Sequence, residues 1–195
     1  MKKDQNLTRV FERYRYDSTI VNKSRTWFQQ QVTLLGAKRI SKTDLFRQER
    51  TVSKITPGSL YLFYYDPKFK EELPYYDRFP LVFPYSATKD GFIGLNMHYL
   101  PHFPRVKLFQ KLLTYANNDL FDETTKLKYS WSLIKGVSKF RPAQACIKQY
   151  LLDHVQSMFI QIKPSDWHTV MMLPIEQFAG ANKQTVWKES NKWVR

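Results

Sequence analysis

The constraint that most limits this chain's fold lies between residues 58 and 103, GSLYLFYYDPKFKEELPYYDRFPLVFPYSATKDGFIGLNMHYLPHF. The stretch holds 13 of the 31 aromatic residues, four of them within Tyr61–Tyr65. Each ring can remove about 150–250 Å² from water, so rings at this density demand a shared, rigid interior. Pro67, Pro74, Pro80, Pro84 and Pro101 cut the stretch into short extended pieces, because proline fixes φ and lacks a ladder donor. Short strands held by ring packing are the expectation.

The periodicity predicts strands at 59–65, 79–85 and 92–99, with Lys89-Asp90-Gly91 supplying a hairpin turn. Residues 66–78 read as a long charged loop. Gly94 marks a bulge or a close backbone approach. A further strand at 158–163 is placed to close the sheet. The fold class expected is α+β, a small antiparallel SH3-like β-barrel with flanking α-helices. Helices are predicted at 24–36, 43–47, 105–118, 125–137 and 142–155, the last with Cys146, Tyr150 and Leu151 inward, and a polar helix in the tail. The organisation read from this is a basic arm over 1–22, one α+β domain over 23–173 and a tail over 174–195.

At 195 residues the chain is long enough to bury a core, and 43% hydrophobic content excludes disorder as its general state. No apolar run approaches the roughly 20 residues that span a bilayer, and the N-terminus MKKDQNLTRVFERYRYD is charged, unlike a secretory signal. A single cysteine cannot form an internal disulfide, which suits synthesis in a cytoplasm. The net charge of +14 is distributed unevenly. Residues 1–57 carry 13 Lys/Arg against 5 Asp/Glu, residues 58–103 carry 4 against 5, and residues 104–195 carry 14 against 7. A neutral aromatic centre between basic flanks is the footprint of a polyanion partner, nucleic acid first; the plainer reading is a basic surface serving solubility or an acidic protein partner.

Catalytic signals are missing. His98 and His102 have Pro101 between them, which argues against a helical zinc pair, so neither a metal nor another cofactor is expected. There is no GxSxG elbow, GxGxxG or P-loop, and Cys146 falls on an expected buried face. Asp66, Asp77 and Asp90 are the carboxylates a metal-dependent nuclease would need, but Asp66-Pro67 and Asp90-Gly91 are ordinary turn chemistry. No enzymatic activity is therefore expected. For DNA, the phosphate-contact candidates are Arg105, Lys107, Lys111, Lys135, Lys139, Arg141 and Lys148, placed by helical phase opposite apolar stripes. Tyr75, Tyr76 and Arg78 are candidates for stacking beside a cation, as are Arg13–Tyr16 and Trp187-Lys188 with Lys192-Trp193. For Tyr75, Tyr76 and the tail tryptophans, packing on the sheet serves equally well.

The stretch SLYLFYYDPKFKEELPYYDRFPLVFPY, followed by DGFIGLNMHYLP and later by HVQSMFIQIKPSDW and MMLPIEQFAGANKQTVWKES, resembles a small family of T-even-like tailed bacteriophages, the DNA end protectors of head completion. The resemblance covers most of residues 55–190 and carries no catalytic motif. It implies a virion protein, made in the host cytoplasm, that binds double-stranded DNA through its phosphate backbone at the ends of packaged linear molecules. The alternative is a structural subunit of neck, tail or baseplate acting through other phage virion proteins.

Overall fold

Rings and branched side chains of the aromatic stretch form strands, and the strands form one curled sheet. The computed structural model describes residues 50–101, 118–167 and 173–192, with the single positions Arg105, Leu108, Lys111, Leu112, Thr114 and Val170 between them. The expected arm 1–22, the helices at 24–36 and 43–47, Lys107 and Trp193 lie outside the described residues.

The strands are β1 (Arg50–Val52), β2 (Leu60–Leu62), β3 (Tyr76–Asp77), β4 (Leu81–Ala87), β5 (Gly91–Asn96), β6 (Ile147–Leu151), β7 (Phe159–Ile162) and β8 (Phe178–Ala179); the helices are α1 (Glu123–Val137) and α2 (Lys183–Lys192). Six strands pair antiparallel in the order β1-β7-β2-β4-β5-β6, while β3 and β8 form a separate two-stranded ribbon. Arg105, Leu108, Lys111, Leu112 and Thr114 have helical backbone, with Leu108 and Leu112 buried.

The α+β class and the antiparallel sheet are found, while a closed SH3-like barrel is not found among the described residues. No ladder joins β1 to β6 among the described residues, so the sheet stays open. It is nevertheless strongly coiled. Phe63, just past β2, meets Tyr150 on β6 with ring centroids 5.2 Å apart, although three strand spacings, about 14 Å on a flat sheet, separate those strands. Phe63 also meets Tyr65, Phe92 and Phe159 edge-to-face. This ring cluster fills one side of the sheet, and beyond the ends of β2 and β6 an isolated bridge joins Tyr65 to Val155. Ring packing supplies the curvature, and a continuous ladder of backbone pairs does not complete it.

The opposite face, with Leu60, Leu62, Leu81, Phe83 and Leu95, carries the larger core. There it meets Leu133, Ile134 and Val137 of α1, Trp167, and Ile175 and Val186 from the last segment. Trp131 Nε1 donates to the Tyr85 carbonyl, tying α1 to β4 (2.9 Å). Gly58 has φ +91, and a Cβ there would lie 2.6 Å from the Leu127 carbonyl oxygen, so the turn before β2 approaches α1 as only glycine permits.

The helix expected at 142–155 is another correction. Residues Arg141–Cys146 form a 3-10 turn, Ile147–Leu151 is strand β6, and Leu152–His154 is a second 3-10 turn. β5 needs a second partner, and its glycines admit one closely: a Cβ on Gly91 would lie 1.9 Å from the Tyr150 carbonyl oxygen. The pairing of β5 outweighs the local helical pattern. The sheet irregularity falls between Pro84 and Ser86 on β4, while Gly94 makes room for Val82 and the Phe83 carbonyl.

Because Phe63 is fully buried and joins rings from β5, β6 and β7, Phe63→Ala is expected to lower the unfolding free energy by about 3–5 kcal/mol. Urea denaturation followed by circular dichroism measures it, and a loss below about 1 kcal/mol would refute the central role given to this ring.

Candidate nucleic-acid interface

Helix α1 begins at an N-cap, Asp122, whose Oδ1 accepts from the Thr125 backbone N–H. From there two faces separate. Ser130, Leu133, Ile134 and Val137 repeat at i, i+3, i+4 and i+7 and are buried against the sheet. The same face two turns earlier carries Glu123, Lys126, Leu127 and Ser130, so its first turns are largely polar where a core helix would be apolar. The helix therefore does not seal against the sheet at its start. A cleft of about 290 Å³ opens there, lined by those four residues with Arg50, Thr56, Gly58, Ser59, Gln161, Ile162, Lys163, Pro164 and Trp167. Lys126 Nζ donates to Glu123 Oε1 (2.8 Å), and Gln161 Nε2 donates to Ser59 Oγ (3.4 Å). Trp167 is held in the wall by its Nε1 donation to the Ile162 carbonyl (3.0 Å) and by edge contact with Phe83.

The outer surface of α1 is basic. Lys128 and Lys135, two turns apart on one side, are exposed, and Lys139 and Arg141 follow directly after the helix, also exposed. Lys135 Nζ lies 4.7 Å from the Trp131 ring centroid, a cation–π contact that holds the side chain along the helix.

The other candidates are placed differently. Arg105 is not on the surface but 1% exposed: its Nη1 donates to Glu176 Oε1 (2.9 Å), its Nη2 to the carbonyls of Leu100 (3.0 Å) and His98 (3.3 Å). Helical phase put it on an outer face, but the last segment of the chain folds over that position and brings Glu176 to it. Lys148 lies on β6, not on a helix, with its ammonium 4.2 Å from the Tyr99 ring centroid; burial lowers its pKa. Lys111 is half-buried. Tyr75 leans on Tyr99, and Tyr76 pairs with Ala179 in the small ribbon, both half-buried, while Arg78 is exposed. Trp187 Nε1 donates to the His98 carbonyl (2.8 Å), so this ring is docked; Lys188 is exposed.

Behind the surface lies a buried polar network. His98 Nδ1 donates to Asp77 Oδ2 (2.7 Å), which also accepts from Asn96 Nδ2 (3.1 Å); Asp77 Oδ1 accepts from the Phe79 N–H. Asn96 Nδ2 also reaches the Tyr150 hydroxyl oxygen (3.0 Å). Asp77, the carboxylate of the nuclease reading that turn chemistry left unexplained, is thus occupied in holding the fold. Among the described residues no group of three His, Cys, Asp or Glu could hold a metal ion. Cys146 is fully buried, and burial pushes its thiol up to about 12. No helix among the described residues is long and apolar enough to cross a membrane.

Sequence reasoning missed Arg50, Lys126 and Lys163. The signal available was on α1, where Glu123, Lys126 and Ser130 occupy stripe positions that a sealed helix fills with apolar residues.

Burial alone would raise the Glu176 carboxyl, but the Arg105 guanidinium beside it holds it at about 2, against an ordinary 4.5. A pKa depressed by folding gives stability that is complete above about 4.5 and is lost as pH falls toward 2. Glu176→Ala leaves Arg105 buried and unpaired and is expected to cost about 3–5 kcal/mol at neutral pH. Denaturation curves of both proteins at pH 7 and pH 3 check this. The gap should narrow at pH 3, and an equal gap at both would refute the pairing as its source.

A family model described as Phage T4 terminal DNA protecting protein matches residues 7–193. No curated protein and no solved structure matches the chain.

Proposed function

The chain belongs to the phage T4 terminal DNA protecting protein family, and from that premise we propose that it binds double-stranded DNA at the ends of the linear phage molecule, shields them without cleaving, and thereby takes part in completing the head. The observation that carries this reading is the basic surface of α1 and the segment after it, Lys128, Lys135, Lys139 and Arg141, all exposed within the stretch 128–141. They belong to a chain of net charge +14. Cations on one helix side can follow a phosphate backbone without disturbing the apolar side that docks on the sheet. Lys107, Lys111 and Arg78 are further contacts in this proposal; Arg105, sealed against Glu176, is not one.

A second reading has its own observation. Tyr64, Phe69, Leu73, Leu152 and Met158 are all exposed. Hydrogen bonds from Tyr64 N–H to Ser157 Oγ and from Asp66 N–H to the His154 carbonyl bring the two segments that bear them together. An exposed apolar group of this kind suits contact with a neighbouring virion subunit, and the two readings are compatible in one head-completion protein.

Binding to a linear duplex and to the same DNA as a closed circle, at two salt concentrations with magnesium present, tests the first reading. The expected outcome is tighter binding to the linear form, no cleavage, and affinity that falls by orders of magnitude between 50 and 200 mM salt if about six or more phosphates are met. Charge reversal of Lys135, Lys139 and Arg141 should flatten the salt dependence by roughly one phosphate per residue. Equal affinity for circle and line would remove end protection, and absence of binding to both would leave the subunit contact.

A further inference from the structure

We infer that the cleft between the start of α1 and the sheet receives the terminal phosphomonoester of a DNA end. This rests on the end-binding reading above and names the site that would tell an end from an interior.

Three observations converge on it. The first is the break in the α1 stripe. A helix that buries Leu133, Ile134 and Val137 should continue with apolar residues two turns earlier, and instead presents Lys126 and Ser130 to the cleft on either side of Leu127, with exposed Glu123 at its mouth. The Lys126 ammonium meets Glu123 there (2.8 Å), so the opening is kept polar by an ion pair at its rim. The second is charge. Arg50, Lys126 and Lys163 line the cleft with a single carboxylate, Glu123, for a formal excess of two positive charges. A phosphomonoester carries about −1.5 to −2 at neutral pH, whereas an interior phosphodiester carries one negative charge. Cleft and chain end are thus matched in charge, and cleft and chain interior are not. The hydroxyls of Thr56, Ser59 and Ser130 add further donors to the lining.

The third is size. At about 290 Å³ the cleft is at the lower limit of small-ligand sites, roughly 300–1,000 Å³. A duplex, whose major groove alone is about 12 Å wide, cannot enter. A terminal phosphate with part of its frayed nucleotide can, since unpairing costs least where stacking is already incomplete. Discrimination between end and interior then follows from geometry, without any base being read. The exposed cations of α1 lie on the same helix, so a duplex lying along them has its terminus at hand for the cleft.

The test uses the full chain and one blunt duplex prepared with 5′-phosphate, with 3′-phosphate or with hydroxyl at both termini, alongside the closed circle. One phosphorylated form is expected to bind about tenfold or more tightly than the hydroxyl form, the scale of charge-assisted hydrogen bonds lost together. The double variant Lys126→Gln with Lys163→Gln should remove that preference, while Lys135→Gln should weaken all linear forms alike and keep it. The comparison of DNA forms on the unaltered protein does not depend on any variant folding. Tighter binding of linear than circular DNA, with indifference to the terminal phosphate, would overturn the cleft assignment and leave end binding intact. Loss of the linear preference itself would overturn end binding. Inorganic phosphate displacing the phosphorylated duplex at equal concentration would also overturn the assignment, because the site would then read a free anion.

Discussion

The buried carboxylate of Asp77 is the constraint on which the rest of the arrangement depends. Taken out of water without partners, a carboxylate would be severely destabilising. Here it accepts from His98, from Asn96 and from the Phe79 backbone. Those bonds fix the short turn Met97–Tyr99 after β5, and the turn in turn offers the His98 carbonyl to both Arg105 and Trp187. Through Arg105 the network reaches Glu176, and through Trp187 it reaches α2. One buried acidic side chain thus organises the small ribbon, the end of the main sheet and the last segment of the chain. Such a network specifies a single arrangement because each member is costly to leave unpaired.

The sheet side of the molecule is settled by rings and the helix side by a glycine. Phe63 draws β2, β5, β6 and β7 into a coil, and Gly58 lets the turn before β2 press against the α1 backbone. Between these contacts the start of α1 is held beside the sheet at a fixed separation. The cleft is therefore framed on one side by the close contact of Gly58 with α1 and on the other by the close-packed sheet.

Much of the architecture was legible in the sequence, and the reasons are local. The strands at 59–65 and 79–85 announced themselves by ring density and proline spacing, the Asp90-Gly91 turn by its chemistry, and α1 by the recurrence of Leu127, Trp131 and Ile134. What escaped was decided by contacts distant in sequence. Residues 147–151 follow a pattern compatible with a helix, and only the vacancy beside β5 makes them a strand. Closure into a barrel depended on whether two remote strand edges meet, which no local pattern records. Arg105 looked like a surface cation until Glu176, 71 positions later, arrived beside it. The basic surface of α1 was readable from helical phase, whereas the cleft required knowing that Arg50 and Lys163 come to the polar turns of that helix.

Cys146 closes the 3-10 turn that leads into β6, with no exposed surface and its thiol held protonated well past neutrality. Oxidants act on accessible thiolate, and this sulfur presents none. With no second cysteine in the chain, no disulfide within it can form. The fold consequently carries no thiol–disulfide switch: what a change of redox surroundings can reach among the described residues is the exposed thioether of Met158, which lies outside both cores.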